Sequence, residues 1–218
     1  MKNRFDTIIF DWDGTLIDSI SWIVESLQSA AHLCDFPSPA EQAAKDVIGL
    51  SIEQAMQTLF PTATAAQIPQ LVAGYRHRYE QFHIGPEHLF AGVYDMLVKL
   101  KQSGYTLAVA TGKTRAGLQD ALHATGTEGL FDITRCADET ASKPEPLMLL
   151  QILQHTQTQS HRALMVGDST HDMQMAANAN MAAVAVSCGA HPAEVLQQFN
   201  PVFCLSQPAE LLELIYRD

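Results

Sequence analysis

Four short stretches of this 218-residue chain combine acids, a hydroxyl and a lysine at spacings that can do chemistry. They are Asp11-Trp12-Asp13-Gly14-Thr15, Thr111-Gly112-Lys113, Ser142-Lys143-Pro144 and Gly167-Asp168-Ser169, with Asp172 four residues beyond Asp168. Carboxylates gathered in one place cannot stay bare. Two like charges about 4 Å apart repel by roughly 4 kcal/mol at an effective dielectric of about 20. A proton or a cation must be shared. Oxygen ligands from Asp11, Asp13, Asp168 and Asp172, with no His or Cys among them, favour Mg²⁺ over zinc.

Acids around Mg²⁺ point to phosphoryl transfer. Asp11 is the expected nucleophile, attacking phosphorus in line to give an acyl phosphate. Asp13, two residues on, is expected to protonate the leaving alcohol and later to activate water. The phosphate needs donors: the Thr111 hydroxyl, the Gly112 N–H and the loop N–H groups of Trp12, Asp13 and Gly14 are candidates. Lys143 is expected to neutralise charge on nucleophile and phosphate. Pro144 biases it towards an extended backbone and a fixed reach. Each stretch alone has a plainer reading. Asp13-Gly14 suits a hairpin turn, Thr111-Gly112 and Gly167-Asp168 suit helix caps, and Asp172 suits the first turn of a helix. The functional reading rests on their combination.

That combination needs elements to bring it together. Thr7–Phe10, Leu107–Ala110, Ala163–Val166 and Ala182–Val186 are short apolar runs of the kind buried as parallel strands, with weaker runs at Ile133–Cys136 and Val202–Leu205. Amphipathic stretches at Val93–Gln102, Arg115–Ala124, Pro146–His155, Asp172–Asn178 and Pro208–Tyr216 alternate with them. This rhythm predicts an α/β protein with a parallel sheet and helices on both faces. The chemical stretches follow the strands, where ligands bind in such sheets. From about Ile17 to Gly85 the rhythm breaks into helical candidates alone: Ile20–Leu33, Ala40–Val47, Ile52–Leu59 and Ala65–Phe82. Residues 1–16 and 86–218 are therefore expected to form a catalytic core, and 17–85 an inserted helical domain.

The segments FDWDGTLIDS, ATGK, SKPEP and VGDSTHDM together resemble the four ordered motifs of the haloacid dehalogenase-like hydrolases. The resemblance covers nearly the whole chain. It implies a Rossmann-like core, Mg²⁺ and a helical cap inserted after the first strand. It makes Asp11 the nucleophile, Asp13 the general acid and base, Thr111 a phosphate donor and Lys143 the charge stabiliser. Asp168 becomes a direct metal ligand with Asp11, Asp172 one either directly or through water, and the Asp13 backbone carbonyl another. KPEPLMLLQIL, VGDSTHDMQMAANANM and AVSCGAH are similar to the phosphoglycolate phosphatase-like subgroup. Gly49, in VIGLS, resembles a cap glycine near substrate in such proteins. Lys113 and Ala141 stand where several residues are tolerated, and only the backbone of Trp12 is expected to matter.

Asp13 argues against dehalogenase chemistry, whose family members lack the second acid. A β-phosphoglucomutase-like enzyme is the nearest enzymatic alternative, although Ser19–Val24 lacks the cap His usual in those mutases. A receiver-type signalling domain has its acids in another order. A catalytically idle binding protein is a third alternative, disfavoured by the intact motif acids. The resemblance makes phosphoglycolate the first expected substrate, with sugar phosphates and nucleoside monophosphates open. Arg76 or Arg78, in the most basic part of the helical segment, are candidates for a substrate carboxylate or second phosphate. The alternative for both is a solvated helix face, and Trp22 and Ser51 are open to the same two readings. His171 is read as only a neighbour of the metal site.

The bulk numbers set the frame. Hydrophobic residues make up 47% and charged residues 17%, as in a chain that fills a core. A net charge of −11 disfavours nucleic acid and anionic membranes as partners. It also suits a polyanionic substrate poorly, unless a local basic pocket or a bound cation overrides the field. The scattered Cys34, Cys136, Cys188 and Cys204 suit free thiols in a cytoplasm. No apolar run is long enough to span a bilayer. Monomer and dimer are equally compatible with the sequence.

Overall fold

The computed structural model describes residues 4–216. Among them, six strands form one parallel sheet: β1 (Thr7–Phe10), β2 (Thr106–Thr111), β3 (Ile133–Cys136), β4 (Ala163–Gly167), β5 (Ala182–Val186) and β6 (Phe203–Leu205). Their order is β3-β2-β1-β4-β5-β6. β1 is therefore central. The chain first builds outwards from it through β2 and β3, then crosses back to lay β4 on its other side. The carboxyl ends of β1 and β4 flank that reversal, the crevice in which open α/β sheets bind ligands.

Side chains alternate across the sheet, and the two faces differ in bulk. Ile8, Phe10, Leu107, Val109, Leu164 and Val166 join one core under helices α5 (Val93–Gln102), α6 (Arg115–Thr125) and α10 (Leu211–Tyr216). Ile9, Ala108, Ala110 and Met165 face the other way, against α7 (Leu147–Thr156) and α8 (Thr170–Asn178). Small alanines on this second face let those helices sit close.

Between β1 and α5 the described chain has helices and no strand: α1 (Ile20–Leu33), α2 (Glu41–Lys45), α3 (Ile52–Leu59) and α4 (Ile68–Tyr79). They enclose a core of their own, built from Ile23, Leu27, Met56, Phe60 and Leu71. The bounds of α1, α3 and α5 coincide with the sequence expectation. Others are shorter, for local reasons. The helix expected over 40–47 closes at Lys45, and the chain soon turns through Gly49 at φ +98°. The one expected over 65–82 begins only at Ile68, after the Gln67 side chain has bonded back to Thr64, with a proline in its first turn. The expected run 208–216 opens with a 3₁₀ turn at Pro208–Glu210 before α10. A four-residue helix, α9 (Ala193–Leu196), was not expected from the sequence.

Candidate active site

The site begins where β1 ends. The Asp11 N–H extends the strand ladder by donating to the Val166 carbonyl at 2.9 Å. The chain then turns sharply: the N–H groups of Leu16 and Ile17 donate to the Trp12 carbonyl at 2.9 and 3.2 Å. Trp12 is fully buried, its indole edge-on to Phe131 at 6.4 Å between centroids. The side chain between the two acids thus anchors the turn in the core and faces away from the chemistry. Gly14 has φ +75°, and a Cβ there would come within 2.2 Å of Asp168 Oδ2. Its N–H, expected from the sequence to be a phosphate donor, is instead spent on the Ile17 carbonyl at 2.9 Å. Gly14 is thus corrected from a substrate donor to a turn residue that lets Asp168 approach.

Asp11, Asp168 and Asp172 converge from three places in the chain, each offering an oxygen within 4.8 Å of the others, and all three are buried. Each is held differently. The Asp168 oxygens accept from Thr15 Oγ1 at 2.8 Å and from the Ala190 N–H at 2.7 Å. Asp172 occupies the third position of α8 and accepts from the N–H and hydroxyl of the capping Ser169 at 3.1 and 2.6 Å. The plainer helix-cap reading of this stretch is therefore also correct, and it serves to orient an acid. Lys143, fully buried, places Nζ 2.7 Å from both Asp11 Oδ1 and Asp172 Oδ1. The contact to Asp172 is a hydrogen bond. The one to Asp11 is an ion pair off the hydrogen-bond axis, so Asp11 Oδ1 has no aligned donor.

Three carboxylates facing one ammonium leave two negative charges uncompensated when all are ionised. Burial, reinforced by the charges of Asp172 and Asp168, holds the Asp11 carboxyl well above the usual range despite Lys143. Burial, with the Asp172 charge next, pushes Asp168 up to about 7. Burial works against the Lys143 ammonium, but Asp11 and Asp172 outweigh it and raise its pKa. A divalent cation would supply the missing charge and give the unaligned Asp11 oxygen a partner. The all-oxygen donor set fits Mg²⁺.

The Asp13 side chain stands apart from this trio. Its Oδ1 accepts from Ser19 Oγ at 2.7 Å and its Oδ2 lies 3.1 Å from Lys113 Nζ. Asp11 and Asp13 both open onto a cavity of about 750 Å³, lined also by Thr111, Gly112, Lys113 and, from the helical segment, Gly49 and Tyr79. Gly112 is tight against that segment: a Cβ on it would meet the Leu50 and Gly49 carbonyl oxygens at 2.4 and 2.7 Å. The Ser51 N–H donates to Ser142 Oγ at 2.8 Å, closing the same seam. Arg76 also lines the cavity, but from an exposed position. Arg78 pairs with Glu25 and Gln81 and lies over Phe82, and Trp22 stacks on Phe82, so both follow the structural reading. His171 bonds the Asp46 carbonyl of the helical segment at 2.8 Å. Sequence reasoning missed Thr15, Ser19 and Ser169 as anchors, although all three flank motif acids. It also missed Lys113.

The description of the haloacid dehalogenase-like hydrolases matches residues 8–186, which include every acid above. The chain belongs to that family. A protein of Dickeya dadantii named probable phosphatase IndB is 36% identical over 198 residues, 89% of this chain and 86% of that one. The phosphoglycolate phosphatase of Vibrio cholerae is 29% identical, covering 95% and 96% of the two chains. A pyrophosphatase, PpaX, of Bacillus cereus is 27% identical over 97% of each. Among solved structures, a haloacid dehalogenase-like hydrolase from Bacteroides fragilis superposes with a TM-score of 0.86 at 24% identity, over 95% of this chain and 99% of that one. A β-phosphoglucomutase from Clostridium difficile reaches 0.85 at 16%, over 97% and 95%. These two likenesses establish the fold alone. Family membership and the curated relatives together make this hydrolase a phosphatase.

Proposed function

We propose that the protein is a Mg²⁺-dependent phosphatase acting on a small phosphomonoester through an aspartyl-phosphate on Asp11. The observation that carries this reading is the buried trio of Asp11, Asp168 and Asp172 beside Lys143, with Asp11 opening next to Asp13 and Thr111 onto one cavity. Asp11, Asp168 and Asp172, with the Asp13 backbone carbonyl, would hold the ion. When bound, Mg²⁺ offsets the charge of an incoming phosphate and of the nucleophile.

In this reading an Asp11 carboxylate oxygen forms a bond to phosphorus as the ester P–O bond breaks. Protonated Asp13 gives its proton to the leaving oxygen, and an alcohol departs. Asp13 then takes a proton from water, whose oxygen attacks phosphorus and returns Asp11 as carboxylate and free phosphate. The Thr111 hydroxyl and the Gly112 N–H orient the phosphoryl oxygens, and Lys143 stabilises their charge. The helical segment 17–85 acts as a cap: Gly49, Leu50 and Ser51 meet the core at the cavity rim and exclude water.

Phosphoglycolate is the first substrate to test, since a relative carries that activity in its name. All four cysteines are free, which suits action in a reducing cytoplasm. Among the described residues no helix is long and apolar enough to cross a membrane. The test is phosphate release from phosphoglycolate, pyrophosphate, hexose phosphates, nucleoside monophosphates and an aryl phosphate, with Mg²⁺ and with EDTA. EDTA-sensitive release is expected. Absence of release from every ester, followed by turnover of a hexose phosphate with a bisphosphate activator, would replace the phosphatase with a mutase.

A further inference from the structure

Lys113 is the second cation of the site, mostly enclosed, and the reaction just described gives it no task. Only 11% of its side chain is exposed. An ammonium has three N–H donors. One faces Asp13 Oδ2 at 3.1 Å and one donates to the Tyr79 hydroxyl at 3.0 Å. The ammonium also lies 4.6 Å above the Tyr79 ring, which stacks on Tyr75 at 5.6 Å. Tyr79 belongs to the helical segment and Lys113 to the core, so the two meet across the cavity. Arg76 and His83, which also line the cavity from that side, are exposed to solvent, where an ion pair is screened and weak.

We propose that Lys113 reads a second anionic group on the substrate, with Tyr79 seating its ammonium from the cap. The inference rests on the phosphatase reading above. Asp13 is the group that must reach the ester oxygen, and Lys113 touches Asp13. A second anion bound by Lys113 therefore lies only a few bonds from that oxygen, on the leaving group. The class is a short phosphomonoester carrying a carboxylate, or a compound whose leaving group is itself a phosphate. The third N–H of Lys113 is the donor for it. In so enclosed a place a charge-assisted hydrogen bond discriminates strongly against a neutral analogue.

The test compares phosphoglycolate and pyrophosphate with 2-hydroxyethyl phosphate, a neutral-tailed match for phosphoglycolate, in the Mg²⁺-loaded full chain. Wild type should favour both anionic compounds, or one of them, by about tenfold or more in kcat/KM. Whichever is favoured identifies the carboxylate or the phosphate as the group read. Lys113→Met should lower kcat/KM for that compound by about tenfold more than for the neutral ester. Loss of the Asp13 ion pair affects phosphoglycolate and 2-hydroxyethyl phosphate alike, because both leave as alkoxides of similar basicity, so it cancels in the ratio of those two esters. Lys113→Arg should keep part of the preference, and Tyr79→Phe should reduce it less than Lys113→Met does. Circular dichroism of each variant checks that the fold persists. An equal loss on all three compounds would overturn the proposal and leave Lys113 as a partner of Asp13 alone. A wild type with no preference for either anion would overturn it as well. Release from no compound by wild type would instead defeat the phosphatase reading itself.

Discussion

At the scale of single residues, the site is a balance of buried charge in which each member depends on the others. Asp11→Asn is nearly isosteric and removes one of three crowded carboxylates. Turnover should fall by about a thousandfold or more, while the melting temperature in EDTA should not drop. Near-normal turnover in this variant would remove Asp11 as nucleophile. Lys143→Met has the opposite signature. It leaves the carboxylates of Asp11 and Asp172 without the ammonium they share, and breaking such a buried pair costs about 3 kcal/mol or more. Urea denaturation in EDTA should show this loss, and Mg²⁺ should restore part of it.

The same balance sets a pH dependence. The Asp11 and Asp168 carboxyls are raised from a reference of 3.8, Asp168 to about 7. Between about pH 4 and pH 7 the folded, metal-free chain keeps protons that the unfolded chain has released. Its stability should therefore be highest at the acid end of this window and decline as pH rises through it. The carboxylates lowered by exposed partners, such as Asp6 beside Arg162, act only at more acid pH, where their contribution is lost. Chemical denaturation from pH 5 to pH 8 in EDTA should show the decline, and Mg²⁺ should flatten it. Burial lowers the His191 pKa and so pulls the other way in this window; a decline unchanged in Asp168→Asn would mean that the trio does not carry this proton.

At the scale of elements, the decisive contact is the seam between the β2 end and the turn before α3. Gly112→Ala would place a methyl group 2.4 Å from the Leu50 carbonyl oxygen, which must then move. A displacement of this kind should reduce kcat/KM by about tenfold to a hundredfold, with little change in melting temperature. Gly129→Ala, where an added Cβ meets nothing within 4 Å, is the matched control. The seam was not legible in the sequence, because nothing local ties residue 112 to residues 49 and 50. The strands were legible, since TIIF and ALMV are continuous apolar runs of the length a buried parallel strand needs. Asp11 and Asp168 were legible because each lies just past such a run, whereas Lys143 and Asp172 stand further on and were legible only in combination with them. The spending of the Gly14 N–H on Ile17 and the pairing of Lys113 with Tyr79 depend on tertiary contacts, and a linear pattern carries neither. Strand order, likewise, comes from crossovers rather than from any strand's own residues.

At the scale of the whole molecule, one divalent ion should act as a staple. It would join residues just beyond β1 and β4 and one in α8, and is expected to bind the unfolded chain negligibly. At a hundredfold excess over its dissociation constant, linkage predicts about 2.7 kcal/mol of added stability. Thermal melts with increasing Mg²⁺ should shift upwards continuously. Asp11→Asn should shift less, and a wild-type melt indifferent to Mg²⁺ would count against the metal centre. The place of β1 in the sheet has a further consequence, for the order of assembly. β1 is made first, yet one of its two neighbours, β4, arrives only with Ala163–Gly167. A chain still being synthesised thus carries an apolar strand with one open edge across more than half its length, and such edges invite pairing with other chains. The helical insertion follows that strand directly and holds its own core, so it can compact while the rest is made. The chemistry can exist only after the last partner has docked, and activity regained during refolding should therefore trail the recovery of helix signal.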